Sequence, residues 1–265
     1  GPRRHRHPAR AVTVRHVLGA VCLECGEESD LRGPDGTCGC GGNRDLVYDY
    51  RWMKTHLSRK KIAASRDWSV ERYRSLLPLA PGGPRLPLQI GWTPLIRSWR
   101  FQKAVGHGRV WLKDETRLPS ASFKDRATHV TLLRAMERHE KRVVGASTGN
   151  AGASLACLSA SVGMPAAIFV PHTAPRGKVA QLRMYGAKVI MVRGNYDAAF
   201  DLCRRAAEAF GWYSRSTGTN PFTREGKKTS AYEICEQNDW KAPDVVIVPT
   251  GDGNIISGLW KGFCD

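Results

Sequence analysis

Between residues 142 and 213, short apolar runs at 143–146, 166–170 and 188–192 alternate with segments of helical spacing at 151–162, 176–185 and 196–210. Apolar runs without polar alternation suit strands covered on both faces. Strands separated by a helix join as parallel neighbours, through crossovers of one hand. The alternation therefore predicts an α/β fold with a parallel sheet of right-handed βαβ units. Residues 142–224 are read as a small βαβ domain.

Three strand-loop-helix junctions carry the chemistry. In the first, residues 109–115 read as a strand and 123–138 as a helix, with Ala127, Val130, Leu133, Ala135 and Met136 at helical spacing. Ser120, Ala121, Ser122, Phe123 and Lys124, followed by Asp125 and Arg126, deliver a lysine into the first helical turn. Alone, such a lysine is usually solvated. In the second, Ser147, Thr148, Gly149, Asn150, Ala151 and Gly152 follow the strand at 142–146 and open the helix at 151–162, so backbone amides and the positive helix end face an anion. In the third, Gly251, Asp252, Gly253 and Asn254 follow residues 244–249, a buried parallel strand by composition, and open another helix. Each loop alone is an ordinary tight turn. One lysine and two anion-shaped loops together suit a cofactor bearing an aldehyde and a phosphate.

In these residues the chain resembles the threonine synthases, within the fold type II (tryptophan synthase β-like) pyridoxal-phosphate enzymes. The resemblance covers about residues 90–265. It rests on Gly91-Trp92-Thr93-Pro94-Leu95, Leu112-Lys113-Asp114-Glu115, Ser122-Phe123-Lys124-Asp125-Arg126, Ser147-Thr148-Gly149-Asn150, Glu225-Gly226-Lys227-Lys228-Thr229 and Gly251-Asp252-Gly253-Asn254, in matching order and spacing. It implies two parallel-sheet αβα domains with pyridoxal 5'-phosphate between them. Residues 91–141 and 225–265 would form the large cofactor domain. That domain would be incomplete, since the family pattern continues past Asp265 to further strands and to the Ser or Thr facing the pyridine nitrogen.

The resemblance also implies roles. Lys124 would carry the cofactor covalently and then shuttle protons, which requires an amine that is neutral near pH 7; burial and a nearby cation supply that shift. Asn150 would bond the ring 3′-oxygen, and Ser147 and Thr148 the substrate carboxylate. The amides of Gly251, Gly253 and Asn254 would cradle the cofactor phosphate, with Asp252 turned away or capping the helix. The implied reaction converts O-phosphohomoserine and water to threonine and phosphate by γ-elimination and addition of water at Cβ. Lys178 and Arg224 are the candidates for the substrate phosphate; the family's usual arginine aligns with Thr223, so Arg224 stands one place late. A serine/threonine dehydratase or a cysteate synthase would share the lysine and both loops. Family dimers suggest a homodimer acting on a small anionic amino acid.

Upstream, Cys22 and Cys25 form a CxxC, while Cys38 and Cys40 form a CxC among closely spaced glycines, the pattern of a zinc ribbon over residues 17–50. Two disulfides are the alternative, which a reducing compartment disfavours. Four thiolates leave no open position, so the zinc would be structural. Cys157, Cys203, Cys235 and Cys264 read as buried small hydrophobes. Residues 1–16 form a basic arm and 51–90 a connector ending in a Pro-rich stretch. The net charge of +17 lies largely in the arm and connector. A zinc ribbon with basic flanks frames a rival nucleic-acid-binding reading, but no base-reading or stacking motif accompanies it. No run approaches the ~18 apolar residues of a membrane span, nor does a signal-peptide pattern appear, so a cytoplasmic protein is expected. Lys113 reads as a paired surface lysine, and Lys227 and Lys228 as a solvated helix face, the alternative being that one of them reaches the substrate. His107, His129, His139 and His172 show no partner spacing. Trp52, Trp68, Trp92, Trp99 and Trp111 read as core or interface packing.

Overall fold

A computed structural model describes residues 14–33, 35–106 and 108–265. The basic arm lies outside the described residues except for Val14, Arg15 and His16. Of those, Arg15 is exposed, Val14 and His16 are buried, and the His16 ring bonds the Leu77 carbonyl at 2.9 Å.

The ribbon is a three-stranded antiparallel sheet of β1 (Val17–Cys22), β2 (Glu28–Ser29) and β3 (Arg44–Tyr48) in the order β2-β1-β3. Residues 51–90 are more than a connector. They fold as α1 (Tyr50–His56), capped by Asp49, then α2 (Arg59–Ala63), capped by Ser58, and a 3-10 turn over Val70–Leu76. Tyr48, Met53, Ile62, Tyr73 and Leu77 share one apolar core with Val130, Leu133, Phe222 and Tyr232 from later helices. This shared core joins the ribbon to the rest of the chain.

Next come β4 (Leu95–Arg97), α3 (Trp99–Val105) and β5 (Trp111–Lys113), with β4 and β5 antiparallel. Then follow α4 (Lys124–Glu137), β6 (Val143–Ala146), α5 (Asn150–Ser161), β7 (Ala166–Pro171), α6 (Arg176–Met184), β8 (Lys188–Val192), α7 (Tyr196–Phe210) and β9 (Tyr213–Ser214). The predicted parallel sheet forms in the order β8-β7-β6-β9, all neighbours parallel. Its central strand β7 divides its side chains by the two-residue strand period. Ile168 and Val170 join Leu155, Leu158 and Leu182 of α5 and α6, while Ala167 and Phe169 join Ala199 and Cys203 of α7. Helices thus cover both faces.

The remaining layer is helical. α8 (Phe222–Gln237) lies between α4 and α9 (Asn254–Cys264), and glycines set both spacings. A Cβ on Gly226 would stand 2.1 Å from the Arg126 carbonyl oxygen, and one on Gly258 would stand 2.7 Å from Lys227 Cβ. Only glycine admits backbones this close, and this packing carries the N-terminus of α9 to the flank of Lys227.

Several expectations change. Residues 244–249 form no strand, and Val245 and Ile247 are 75% and 92% exposed, because no described strand lies beside them to complete a ladder. Among the described residues only one parallel sheet forms, with β4 and β5 as the sole ladder on the other side. Trp52 and Trp92 pack on the core, whereas Trp68, Trp99 and Trp111 are largely exposed. Cys203 is buried, Cys157 and Cys235 are half-buried, and Cys264 is exposed. No described helix is long and apolar enough to cross a membrane.

Candidate active site

The loop before α4 is built by its own side chains. Asp125, fully buried, accepts from the Ser120 amide at 2.7 Å and from the Ser120 hydroxyl, while Ser122 Oγ accepts from the Lys124 amide at 3.2 Å. Ala121 takes a left-handed φ of 56°, a conformation held by this hydrogen-bonded frame. The result sets Lys124, half-buried, between two adjoining hollows.

The larger hollow, about 470 Å³, is lined by Lys124, Ser147, Tyr196, Arg215, Thr217, Gly218 and Asp252 among others. The smaller, about 380 Å³, is lined by Lys124, Ser122, Asn150, Ser230 and the exposed 246–249 segment. The larger sits at the carboxyl ends of β6 and β9, where parallel sheets present their ligand sites. Burial lowers the Lys124 pKa, Asp252 opposes that shift, and Arg215 adds to it. Asp252 Oδ1 accepts from the Asn254 amide at 3.1 Å, while Gly253 is the N-cap of α9 and no side chain caps it.

The candidate substrate residues separate. Ser147 lines the larger hollow, and Thr148 stands next to it in the same loop. Lys178 is exposed on α6 and lines neither hollow. Arg224 turns to the ribbon, where its Nη1 donates to Asp45 Oδ1 at 2.9 Å. Asp45 also receives Lys261 at 2.8 Å, so β3 engages both cations, and Arg224 lines neither hollow.

Two buried basic residues lie close to Lys124: Arg215, which was not singled out from the sequence and lines the larger hollow, and Lys227, which lines neither hollow. Arg215 is 3% exposed, with Nε donating to Thr128 Oγ1 at 3.1 Å and Nη2 to the Lys124 carbonyl at 3.4 Å. Lys227 is fully buried rather than solvated, and its amine donates to Asn254 Oδ1. Burial first, then the charges of Arg215 and Lys124, push Lys227 down to about 6. The available signal was the Ser-, Thr- and Gly-rich run at 214–219 after Tyr213, a fourth loop at a strand end. Lys228 is also fully buried, bridging Glu225 at 2.8 Å and Asp265 at 2.7 Å. Lys113 is paired but not at the surface: its side chain is 10% exposed and meets Glu233 at 2.8 Å. His129 is buried and bonds Glu71 Oε1 at 2.8 Å.

The cleft fits pyridoxal phosphate. Its volume is that of a small-molecule site, an amine of lowered pKa lies on its floor, and no atom lies within 4 Å of where a Cβ on Gly251 or Gly253 would stand. At the other end of the chain, the sulfurs of Cys22, Cys25, Cys38 and Cys40 all lie within 4.8 Å of one another. Separations of 3.5 Å for Cys22–Cys40 and 3.6 Å for Cys25–Cys38 exclude disulfides there. They match the ~3.8 Å edge of a tetrahedron with ~2.3 Å zinc–sulfur bonds, so the cluster fits a structural zinc.

The sequence profile described as "Pyridoxal-phosphate dependent enzyme" matches residues 86–265, and the chain belongs to that family. Within it, the chain is 41% identical over 243 residues to a threonine synthase of Methanocaldococcus jannaschii, covering 91% of this chain and 60% of that protein. It is 36% identical over 244 residues to a threonine synthase of Methanosarcina acetivorans, covering 91% and 59%. The chain thus spans about 60% of the length of these relatives. The crystal structure of a pyridoxal 5'-phosphate-dependent aspartate racemase superposes with a TM-score of 0.57 at 30% identity, over 63% of this chain and 52% of that one.

Proposed function

We propose that this chain carries the cofactor and substrate contacts of a threonine synthase, which converts O-phosphohomoserine and water to threonine and phosphate. The observation that carries the reading is Lys124: an amine of lowered pKa on a helix start, between hollows bordered by Ser147, Asn150 and Asp252. On this reading Lys124 holds the cofactor, Asn150 bonds its ring oxygen, and the amides of Gly251, Gly253 and Asn254 receive its phosphate. Bound there, the cofactor supplies an electron sink for carbanions at the substrate.

The chain's own groups then manage protons and charge. Ser147, Thr148 and the amides opening α5 orient the substrate carboxylate. The uncharged Lys124 amine takes protons from Cα and Cβ and returns protons to Cγ and Cα. The Cγ–O bond breaks with phosphate taking the electron pair, water supplies the hydroxyl at Cβ, and the proton left from that water balances the released phosphate. Thr128 and the buried Arg215 donate to the Lys124 carbonyl, which steadies the helix start that carries the amine.

The test is the visible absorption of the full chain mixed with pyridoxal phosphate, beside Lys124→Ala. A band fixed onto Lys124 by borohydride and lost in the variant is expected, together with phosphate release from O-phosphohomoserine. No band at all would overturn the reading. Oxoacid formation from serine or threonine without phosphate release would move the chain to the dehydratases.

A further inference from the structure

Five arginines among the described residues are exposed by 8% or less: Arg72, Arg74, Arg126, Arg134 and Arg215. Four end on carboxylates, Arg72 on Glu236, Arg74 on Glu71, Arg126 on Glu115 and Glu233, and Arg134 on Asp35, all at 3.1 Å or less. Arg215 is the exception: it forms no ion pair among the described residues and bonds only neutral oxygens, on Thr128, Thr217 and Lys124. Lys227 repeats the contrast for lysines. It is fully buried and bonds only the Asn254 amide oxygen, whereas Lys228 beside it holds two carboxylates.

A buried cation without a counter-charge is costly, and two in contact with one small network are more so. These two are joined. Asn254, which accepts from Lys227, donates Nδ2 to the Thr217 carbonyl at 2.9 Å, and the Thr217 hydroxyl accepts from Arg215. Asp252 and Asp197 also border the larger hollow, but neither reaches bridging distance of Arg215 or Lys227, and Asp252 Oδ1 accepts from the Asn254 amide. Arg215 is pushed down to about 10 by burial, with Asp125 and Asp252 pulling the other way. The site thus has a guanidinium in the lining of the larger hollow, a second basic group in Lys227 whose amine gains charge when an anion joins it, a helix N-terminus and open space over Gly251 and Gly253.

We propose that Arg215 and Lys227 together hold a phosphate group in this cleft, adding two charge-assisted contacts to the backbone amides of residues 251–254. The proposal rests on the cleft being a pyridoxal-phosphate site. Phosphate reaches that site from two sources, the cofactor itself and the leaving group of the substrate. Both offer the same dianion, which suits a guanidinium fork backed by an ammonium.

The experiment compares the full chain with Arg215→Met, Lys227→Met and Arg215→Lys, and requires no turnover. Affinities are measured for pyridoxal phosphate, for pyridoxal, and, on protein already carrying the cofactor, for inorganic phosphate. If the cofactor's phosphate is held, each methionine variant weakens pyridoxal phosphate by about tenfold or more and leaves pyridoxal unchanged, while Arg215→Lys loses less. If the leaving group is held, cofactor affinities stay and inorganic phosphate weakens by about tenfold or more. Unchanged affinities for all three ligands in folded variants overturn the proposal. Should Arg215→Met fail to fold, Lys227→Met and Arg215→Lys decide it by the same criteria, and unchanged affinities in both count against it. Failure of the wild-type chain to take up pyridoxal phosphate or pyridoxal on Lys124 sinks the cofactor reading instead, a result separate from any variant effect on inorganic phosphate.

Discussion

Helices α4 and α8 carry two buried charge clusters of opposite character. Around Arg126 the charges close on themselves. Its guanidinium meets both Glu233 oxygens at 2.7 Å and Glu115 at 2.7 Å, Lys113 completes the set, and Glu233 also accepts from the Trp92 amide at 2.7 Å. Burial pushes Glu233 up, but Arg126 and then Lys113 outweigh it and hold it down to about 2. Two residues before Arg126, and six before Glu233, the same helices present Lys124 and Lys227 with no carboxylate bridging them. The closed cluster ties β4, β5, α4 and α8 together. The open one leaves its basic groups unpaired and lowered in pKa, which suits a ligand-binding site rather than a folding scaffold.

The contrast breaks most visibly at Arg126. Arg126→Met leaves Glu115 and Glu233 buried without their main partner, and a loss of ~3–5 kcal/mol is expected in urea or thermal unfolding. A loss below that of Arg215→Met, where no carboxylate is abandoned, would erase the distinction. Gly226→Ala is next, since its Cβ would meet the Arg126 carbonyl at 2.1 Å and force α4 from α8. A destabilisation of ~1–3 kcal/mol follows from such overpacking, and retained stability would mean that the two helices have room to part.

The smallest effect has the opposite sign. Lys227 titrates at about 6 in the folded chain against 10.5 ordinarily, so between these values the unfolded chain binds more protons and stability rises with pH. Below pH ~6 the full penalty of burying its charge is present. Lys227→Met removes that slope and is expected to gain ~1 kcal/mol at pH 6, less at pH 9, by urea midpoint. Parallel stability curves for the two proteins would show that Lys227 keeps its ordinary pKa.

Much of the site was legible because local chemistry writes itself into short motifs. Lys124 at a helix start, the amide-rich loops at 147–152 and 251–254, and the CxxC and CxC pairs each depend on a few neighbouring residues. Arg215, Lys227 and Arg224 were not legible, because an isolated basic residue carries no mark of what lies opposite it. Arg224 sits beside Asp45 across 179 positions, and Lys227 beside Asn254 across 27. The apolar run at 244–249 illustrates the reverse failure: composition suits it to a buried strand, but a strand is made by its neighbours.

The sequence by itself determined the parallel α/β layer, the helix-start lysine and the four-thiolate cluster, since strand and helix periodicity, loop chemistry and ligand spacing act over a few residues. Only the tertiary structure decided which cations are neutralised and which remain open. Glycine contacts at Gly226 and Gly258 bring three helices together and give Arg126, Lys124 and Lys227 their different surroundings. A buried charge is governed by the groups within a few ångströms of it, and those are chosen by packing rather than by chain order.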